Sequence, residues 1–167
     1  MLKILVNLIT ISREEIYSRW LLKIKTFQEN GSRVSLYGGV FLKELEPITD
    51  VYNYENLTSE QQKIPVVTWT KLNFIIHCIK RNIISLSYIK RIINNKYDVI
   101  YSPSSVLDLV ILPYILMSLD KNLKWVAALD NVVELDTSGN KIFGFIAWLS
   151  FRLSLVLLKK ADLIYVF

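Results

Sequence analysis

The sequence predicts an α/β domain built on an open, doubly wound parallel sheet of about six strands. A short phrase, in which a lysine precedes a mostly apolar strand, occurs three times, at 96–105 (KYDVIYSPSS), 124–131 (KWVAALDN) and 160–167 (KADLIYVF). Long stretches of helical periodicity lie between the predicted strands. Strands that alternate with helices are typical of parallel sheets joined by helical crossovers. In such sheets ligands bind beyond the carboxyl ends of the strands.

A βαβ unit opens the chain. Leu2–Ile9 is almost entirely apolar, as in a buried central strand. Ser12 and Glu15 form a capping-box pattern that predicts the start of a helix, and Gly31 predicts its end. Arg33–Tyr37 is the second predicted strand, so the helix forms a right-handed crossover.

The middle of the chain is less regular. Residues 48–55 alternate enough to predict a short third strand, and residues 55–63 are polar, as in a loop. The apolar period of residues 68–95 predicts one long helix or a broken pair of helices. This segment is basic and contains no acid between Lys71 and Lys96.

The second half predicts a regular alternation of three strands and two helices. In chain order these are Asp98–Tyr101, about Ser104–Leu119, Lys124–Leu129, about Lys141–Lys159 and a strand that begins near Asp162. Pro113 lies inside the first of these helices and should kink or split it. For a doubly wound sheet the expected strand order is 3-2-1-4-5-6.

Composition favours an anionic partner. The chain has 167 residues, enough for one domain, with 52% hydrophobic residues, a mean hydropathy of +0.33 and a net charge of +5. A chain this basic and apolar fits a membrane surface or a phosphorylated ligand. Nucleic acid fits less well, because the sequence has no arginine-rich run and no repeated aromatic–basic motif.

Several classes of site are excluded. The single Cys78 allows neither an internal disulfide nor a cysteine metal cluster, which fits a reducing cytoplasm. His77 lies in an apolar helical segment, where a core position is favoured over a catalytic one. The apolar N-terminus lacks the cleavage pattern of a secretory signal. No G-x-G-x-x-G, Walker, zinc or aspartate-rich metal motif is present, so neither a cofactor nor a metal is predicted.

Polar residues at the ends of two predicted strands form a candidate binding site. They are Asn7, Thr10 and Ser12 at the first strand, and Ser102, Ser104 and Ser105 at the fourth. In the expected strand order these two ends face each other across the crevice. Ser104 and Ser105 would open a helix, whose free N–H groups favour an anion or a sugar hydroxyl. Helix capping alone is the alternative for these two serines.

Asp130 and Asn131 are the candidate catalytic pair, because they end an otherwise apolar strand beside the same crevice. A carboxylate there can orient an acceptor hydroxyl or act as a base. The alternative is a turn, which both residue types favour.

Two helical segments bear on membrane contact. Lys80, Arg81, Lys90 and Arg91 give the 68–95 segment the basic, apolar-faced character of an interfacial helix. A sheet-covering helix with a solvated basic face explains the same pattern equally well. Residues 142–158 are short for a membrane span and include Arg152, so a crossover helix that packs on the sheet or rests on lipid is favoured.

Taken together, LKILVNLI, the opening that ends in GSRVSLYGG, KYDVIYSPSS, the ALDN strand tip and KKADLIYVF resemble the N-terminal half of a family-4-type glycosyltransferase with the GT-B fold. The resemblance implies a Rossmann-like half of a GT-B architecture. The family's N-terminal domain binds the acceptor, and its C-terminal domain, absent from this chain, binds a nucleotide-sugar donor. Two features depart from the family: Thr10–Glu14 replaces the usual glycine-rich loop, and Asp130 or Asn131 replaces a frequent histidine.

The function that the resemblance implies is transfer of a sugar from a nucleotide-sugar donor to a lipid-linked or polysaccharide acceptor. We expect a cytoplasmic protein, peripheral on the inner face of the plasma membrane, with an anionic membrane surface as partner and no nucleic acid. The domain alone is expected to be inactive. The alternative is a non-catalytic Rossmann-like binding or scaffold domain that recruits a partner through its apolar helix at 141–159.

Overall fold

The computed structural model describes residues 1–8, 20–38, 50–53, 71–129 and 141–166. Its strands are β1 (Lys3–Leu8), β2 (Arg33–Gly38), β3 (Asp50–Asn53), β4 (Val99–Ser102), β5 (Lys124–Leu129) and β6 (Leu163–Val166). Its helices are α1 (Leu21–Glu29), α2 (Lys71–Ser87), α3 (Ile89–Asn94), α4 (Leu107–Leu119) and α5 (Lys141–Leu158).

The six described strands form one sheet in the order β3-β2-β1-β4-β5-β6, and every neighbouring pair is parallel. This is the predicted order, and it confirms the predicted fold class. The chain runs outward from β1 in one direction and then from β4 in the other. The carboxyl ends of β1 and β4 therefore border the crevice at which sheets of this class bind ligands.

Helices cover the sheet on both faces. On one face, Trp20 and Ile24 pack with the side chains of β1 and β2 that point toward α1. On the other, a larger core joins the sheet to α3, α4 and α5 and contains the fully buried Trp125. Helix α4 lies in the middle of this second layer and contacts both α2 and α5.

The ends of α1 and α2 follow local chemistry. Gly31 has φ +77° and ends α1, as predicted. Its N–H bonds the Gln28 carbonyl at 2.9 Å, and the Ser32 N–H bonds the Phe27 carbonyl at 3.0 Å, which is a Schellman motif. Within the predicted 68–95 segment, the described residues form a pair of helices, α2 and α3, separated at Tyr88. The predicted capping box at 12–15 lies outside the described residues.

The repeated lysine phrase has a structural basis at the amino-terminal edge of the sheet. Asp98 precedes β4, and its Oδ2 accepts the Lys3 backbone N–H of β1 at 2.7 Å. Asp162 precedes β6, and its Oδ2 accepts the Trp125 backbone N–H of β5 at 2.9 Å. Each aspartate thus accepts a backbone N–H at the start of the neighbouring strand. The phrase at 124–131 has no aspartate at the matching place; its Lys124 instead donates Nζ to Asp162 Oδ1 at 3.0 Å.

Asp162 should make the stability of the protein dependent on acid. The hydrogen bond from the Trp125 amide holds the pKa of this carboxyl below its ordinary value of 3.8; Lys124 acts in the same direction and slight burial in the opposite one. A lowered folded-state pKa gives stability that is present above pH 3.8 and is lost as the pH falls through the folded value. Urea unfolding should show the native chain more stable than Asp162→Asn at pH 6, with the difference shrinking below pH 3.8. A difference that stays constant or grows in acid would contradict this.

Candidate functional site

The crevice at the carboxyl ends of β1 and β4 is described only in part. Thr10, Ser12, Asp130 and Asn131 lie outside the described residues, so their assigned roles stay predictions. Asn7, near the end of β1, and Ser102, at the end of β4, are described, and both are fully buried. These two side chains form the floor of the crevice rather than its accessible wall.

Asn7 and Ser102 converge on one backbone atom, the carbonyl oxygen of Leu109 in α4. Asn7 donates Nδ2–H to it at 3.3 Å, and the Ser102 hydroxyl donates at 2.8 Å. The Trp125 indole N–H in turn donates to Ser102 Oγ at 3.0 Å. Three strands are therefore tied to one turn of the helix that follows β4.

Pro113 explains why that carbonyl accepts side chains. In an α-helix the carbonyl of Leu109 would accept the N–H of residue 113, and proline has none. A buried carbonyl without a donor costs about 1–3 kcal/mol, so donors from β1 and β4 replace the missing bond. Helix α4 continues through Pro113, so the proline does not split it into two helices. These hydrogen bonds of Asn7 and Ser102 hold the helix to the sheet, and the acceptor-binding role of the two residues stays a prediction.

Ser104 and Ser105 lie between β4 and α4 with exposed fractions of 5% and 2%. The N-cap position of α4 is occupied by Val106, whose backbone is extended, and the helix begins three residues later than predicted. The two serines are therefore in the tight connection that leads from the strand to the helix. Their role in acceptor binding stays a prediction.

A buried ion pair joins α2 to the first turn of α4. Arg81 Nη2 lies 2.8 Å from Asp108 Oδ2, and the two side chains are only 11% and 4% exposed. Asn82 donates Nδ2–H to Asp108 Oδ1 at 2.7 Å. A carboxylate in the first turn of a helix also interacts favourably with the helix dipole.

This ion pair involves one of the four residues that the sequence predicts at a membrane surface. Arg81 was predicted to belong with the exposed cations Lys80, Lys90 and Arg91, but its side chain points into the protein. The other three residues are exposed. Asp108 was missed, although it is the one acid within the otherwise apolar α4. The presence of a single acid in an apolar helix is the sequence signal for this pair, because a buried carboxylate requires a cation or several hydrogen-bond donors.

Tyr37 extends the buried polar region along β2. It is fully buried, pairs in register with Asn7 of β1, and its ring meets Tyr88 edge-on at 6.1 Å between centroids. Burial raises the pKa of the Tyr37 phenol well above its usual 10.0, while the nearby Ser85 side chain acts in the opposite direction. The phenol therefore stays protonated and neutral.

At this edge of the sheet, the described residues form hydrogen bonds that hold the fold together, and they do not form a complete catalytic or metal-binding site. Within the part of the chain that the structure describes, no three His, Cys, Asp or Glu side chains lie together as a metal site. His77 and Cys78 lie on α2, but their side chains are outside the described set. Among the described helices, none is both long enough and apolar enough to cross a bilayer.

The comparisons with known proteins bear on the fold. No known protein-family profile matches the chain, and no curated protein matches it. Among solved structures it is similar to a Listeria monocytogenes protein described as a UDP-N-acetylglucosamine 2-epimerase, with a TM-score of 0.52 and 12% identity. The match covers 99% of this chain and 38% of that chain, so this chain spans well under half the length of that protein. At this identity the likeness shows the fold alone, which is Rossmann-like and GT-B-like.

Proposed function

We propose that this domain is the acceptor-binding half of a glycosyltransferase, which moves a sugar from a nucleotide-sugar donor to a lipid-linked or polysaccharide acceptor. The observation that carries the proposal is the strand order, with its reversal between β1 and β4 in a GT-B-like fold. It aligns the ends of the strands that precede the predicted polar residues along one edge of the sheet. The sequence resemblance to family-4-type glycosyltransferases supports the reaction class.

Within this proposal the buried network has a positioning role. Asn7, Ser102 and Trp125 fix the start of α4 against the sheet, and the Arg81–Asp108 pair fixes α2 against the same turn. The acceptor is bound above this rigid floor by the residues that follow β1, β4 and β5. Asp130 then orients the acceptor hydroxyl or accepts its proton, and the donor is bound by a second domain. No metal or cofactor is part of the proposal.

A second candidate is modification of the nucleotide sugar itself, without transfer to an acceptor. The similarity to a protein described as a UDP-N-acetylglucosamine 2-epimerase favours it. The two candidates differ in what this half of the protein binds. An acceptor-binding half needs a glycan or a lipid-linked sugar, whereas an epimerase half needs the nucleotide sugar.

Replacement of Asp130 tests the proposed chemistry. Protein expressed from its own gene is incubated with radiolabelled nucleotide sugars and a total lipid and glycan extract. We expect Asp130→Ala to lower label transfer at least about 100-fold, as for loss of a general base. Asp120→Ala is the matched control, because Asp120 lies at the opposite end of α4 and should leave transfer unchanged. Equal transfer by Asp130→Ala and the native protein would remove Asp130 from the mechanism, and conversion of UDP-N-acetylglucosamine without an acceptor would favour the epimerase.

A further inference from the structure

The outer surface of α2 is apolar where a sheet-covering helix is normally polar. Ile76, Ile79, Ile83 and Leu86 recur at helical spacing on one side of α2 and are 39–61% exposed. Helix α1 on the opposite face of the sheet gives the contrast. Its one large exposed apolar side chain is Leu22, and its other exposed positions are polar or charged. We name the four α2 residues the α2 stripe.

Helix α5 repeats the pattern on the other side of α4. Phe145, Leu149, Leu153 and Val156 are 42–60% exposed and also recur at helical spacing. We name these four residues the α5 stripe. Because α4 contacts both α2 and α5, the two stripes belong to one helical layer on one face of the sheet. Exposed apolar patches of this kind mark surfaces that bind a membrane or another protein.

The charges around the stripes identify the partner. Residues 71–97 and 141–161 contain no acid, and all of their charged residues are Lys or Arg. Lys80 and Lys90 near the α2 stripe are exposed, as are Arg152 and Lys159 on or beside α5. The one acid within α4, Asp108, is buried against Arg81. The layer thus presents apolar side chains among positive charges alone, which complements a surface of anionic lipid headgroups.

Aromatic residues on α5 fit the same partner. The rings of Phe145 and Trp148 stack with centroids 5.8 Å apart, and the Arg152 guanidinium lies 5.4 Å from the centre of the Trp148 ring. Aromatic rings and arginine are common at the boundary between headgroups and acyl chains, because they combine apolar area with a polar group. We therefore propose that the α2–α4–α5 layer docks on anionic membranes with both stripes inserted into the headgroup region.

Vesicle sedimentation of the 167-residue chain tests the docking and needs no sugar, so its failure leaves the proposed function in place. The probe is phosphatidylcholine vesicles with and without about one third phosphatidylglycerol. We expect Lys80→Gln with Lys90→Gln to lower binding to the anionic vesicles about 30-fold, since each basic residue near such a surface contributes about a fivefold factor. The charge-matched control is Lys23→Gln with Lys25→Gln, which changes two exposed residues of α1 on the opposite face of the sheet and should leave binding close to that of the native chain.

The apolar part is tested at constant charge. Ile83→Gln with Leu153→Gln removes one residue from each stripe and should weaken vesicle binding about tenfold or more. Leu22→Gln, at a 71% exposed position on α1, should have no effect. Brominated lipid should quench Trp148 fluorescence in the native chain, and Trp148→Phe should lose that quenching. Native binding by the stripe variant would overturn the proposal, as would self-association through the stripes without vesicle binding.

Discussion

Asp108→Ala is expected to destabilise the protein by about 3–5 kcal/mol, the cost of leaving a buried cation without its counter-ion. Arg81 is 11% exposed, and its guanidinium lies 2.8 Å from the carboxylate that this change removes. Asn82 loses its acceptor at the same time. The measurement is urea unfolding followed by circular dichroism, with the free energy of unfolding compared at neutral pH.

Two controls make this result specific. Asp120→Ala removes an acid from the other end of α4, where its carboxylate accepts the Asn122 backbone N–H at an exposed position, and should cost about 1 kcal/mol or less. Arg81→Met with Asp108→Leu removes both charges, and such apolar replacements of buried pairs are often neutral. We expect this double variant to recover most of the loss. If it is no more stable than Asp108→Ala, the loss does not come from the unpaired Arg81.

Ser102→Ala is expected to cost about 1–3 kcal/mol, which is large for the loss of one oxygen atom. The serine hydroxyl both donates to the Leu109 carbonyl and accepts the Trp125 indole N–H, so its removal leaves the indole N–H buried without that acceptor. Ser118→Ala is a matched control. Its hydroxyl is on the exposed side of α4, where water can replace the bond to the Tyr114 carbonyl. A cost for Ser102→Ala no greater than that for Ser118→Ala would contradict the network.

The role assigned to Pro113 predicts coupling with Asn7. Pro113→Ala restores a backbone N–H that can donate to Leu109, and the Asn7 amide is then less needed. The free-energy cost of Asn7→Ala should therefore be about 0.5–1 kcal/mol smaller in the Pro113→Ala background. Additive costs would show that the two groups do not share the carbonyl.

The strands could be predicted from sequence because central parallel strands are buried on both faces. β1, β4 and β5 read as continuous apolar runs, and the structure places each within one residue of its prediction at either end. The short edge strand β3 carries a weaker pattern, and its described residues, Asp50–Asn53, lie within the predicted 48–55. The strand order followed from the alternation of strands and helices, since right-handed crossovers leave few arrangements.

Side-chain partners could not be predicted in the same way. Arg81 and Asp108 are far apart in sequence, and no local pattern shows that they meet. By sequence, Ser102 is only a polar residue at the end of a strand. Its partner inside the protein is the Leu109 carbonyl, which is left for the serine because Pro113, one turn further along the helix, has no N–H to donate. The sequence predicts that Ser104 begins the helix, but Ser104 lies in a bend after β4 and the N-cap is Val106, whose backbone is extended.

The crevice therefore has a buried, hydrogen-bonded floor, and the residues proposed to bind the acceptor come from the segments that follow β1, β4 and β5. This division is usual where a scaffold holds binding loops in place. The division also predicts two different effects of substitution. Changes in the floor, such as Asp108→Ala, should lower stability, whereas changes at Asp130 should lower transfer in a protein that remains folded.

The central claim is that the carboxyl edge of the sheet binds the sugar acceptor, and amide chemical-shift mapping of the isotope-labelled chain tests it most directly. The probes are oligosaccharides, short-chain prenyl-linked sugars and UDP-N-acetylglucosamine, each titrated separately. We predict that an acceptor-type ligand shifts the amides of residues 7–12, 102–105 and 130–131, and that UDP-N-acetylglucosamine leaves them unchanged. Shifts at these residues with UDP-N-acetylglucosamine alone, or with no ligand at all, would contradict the claim.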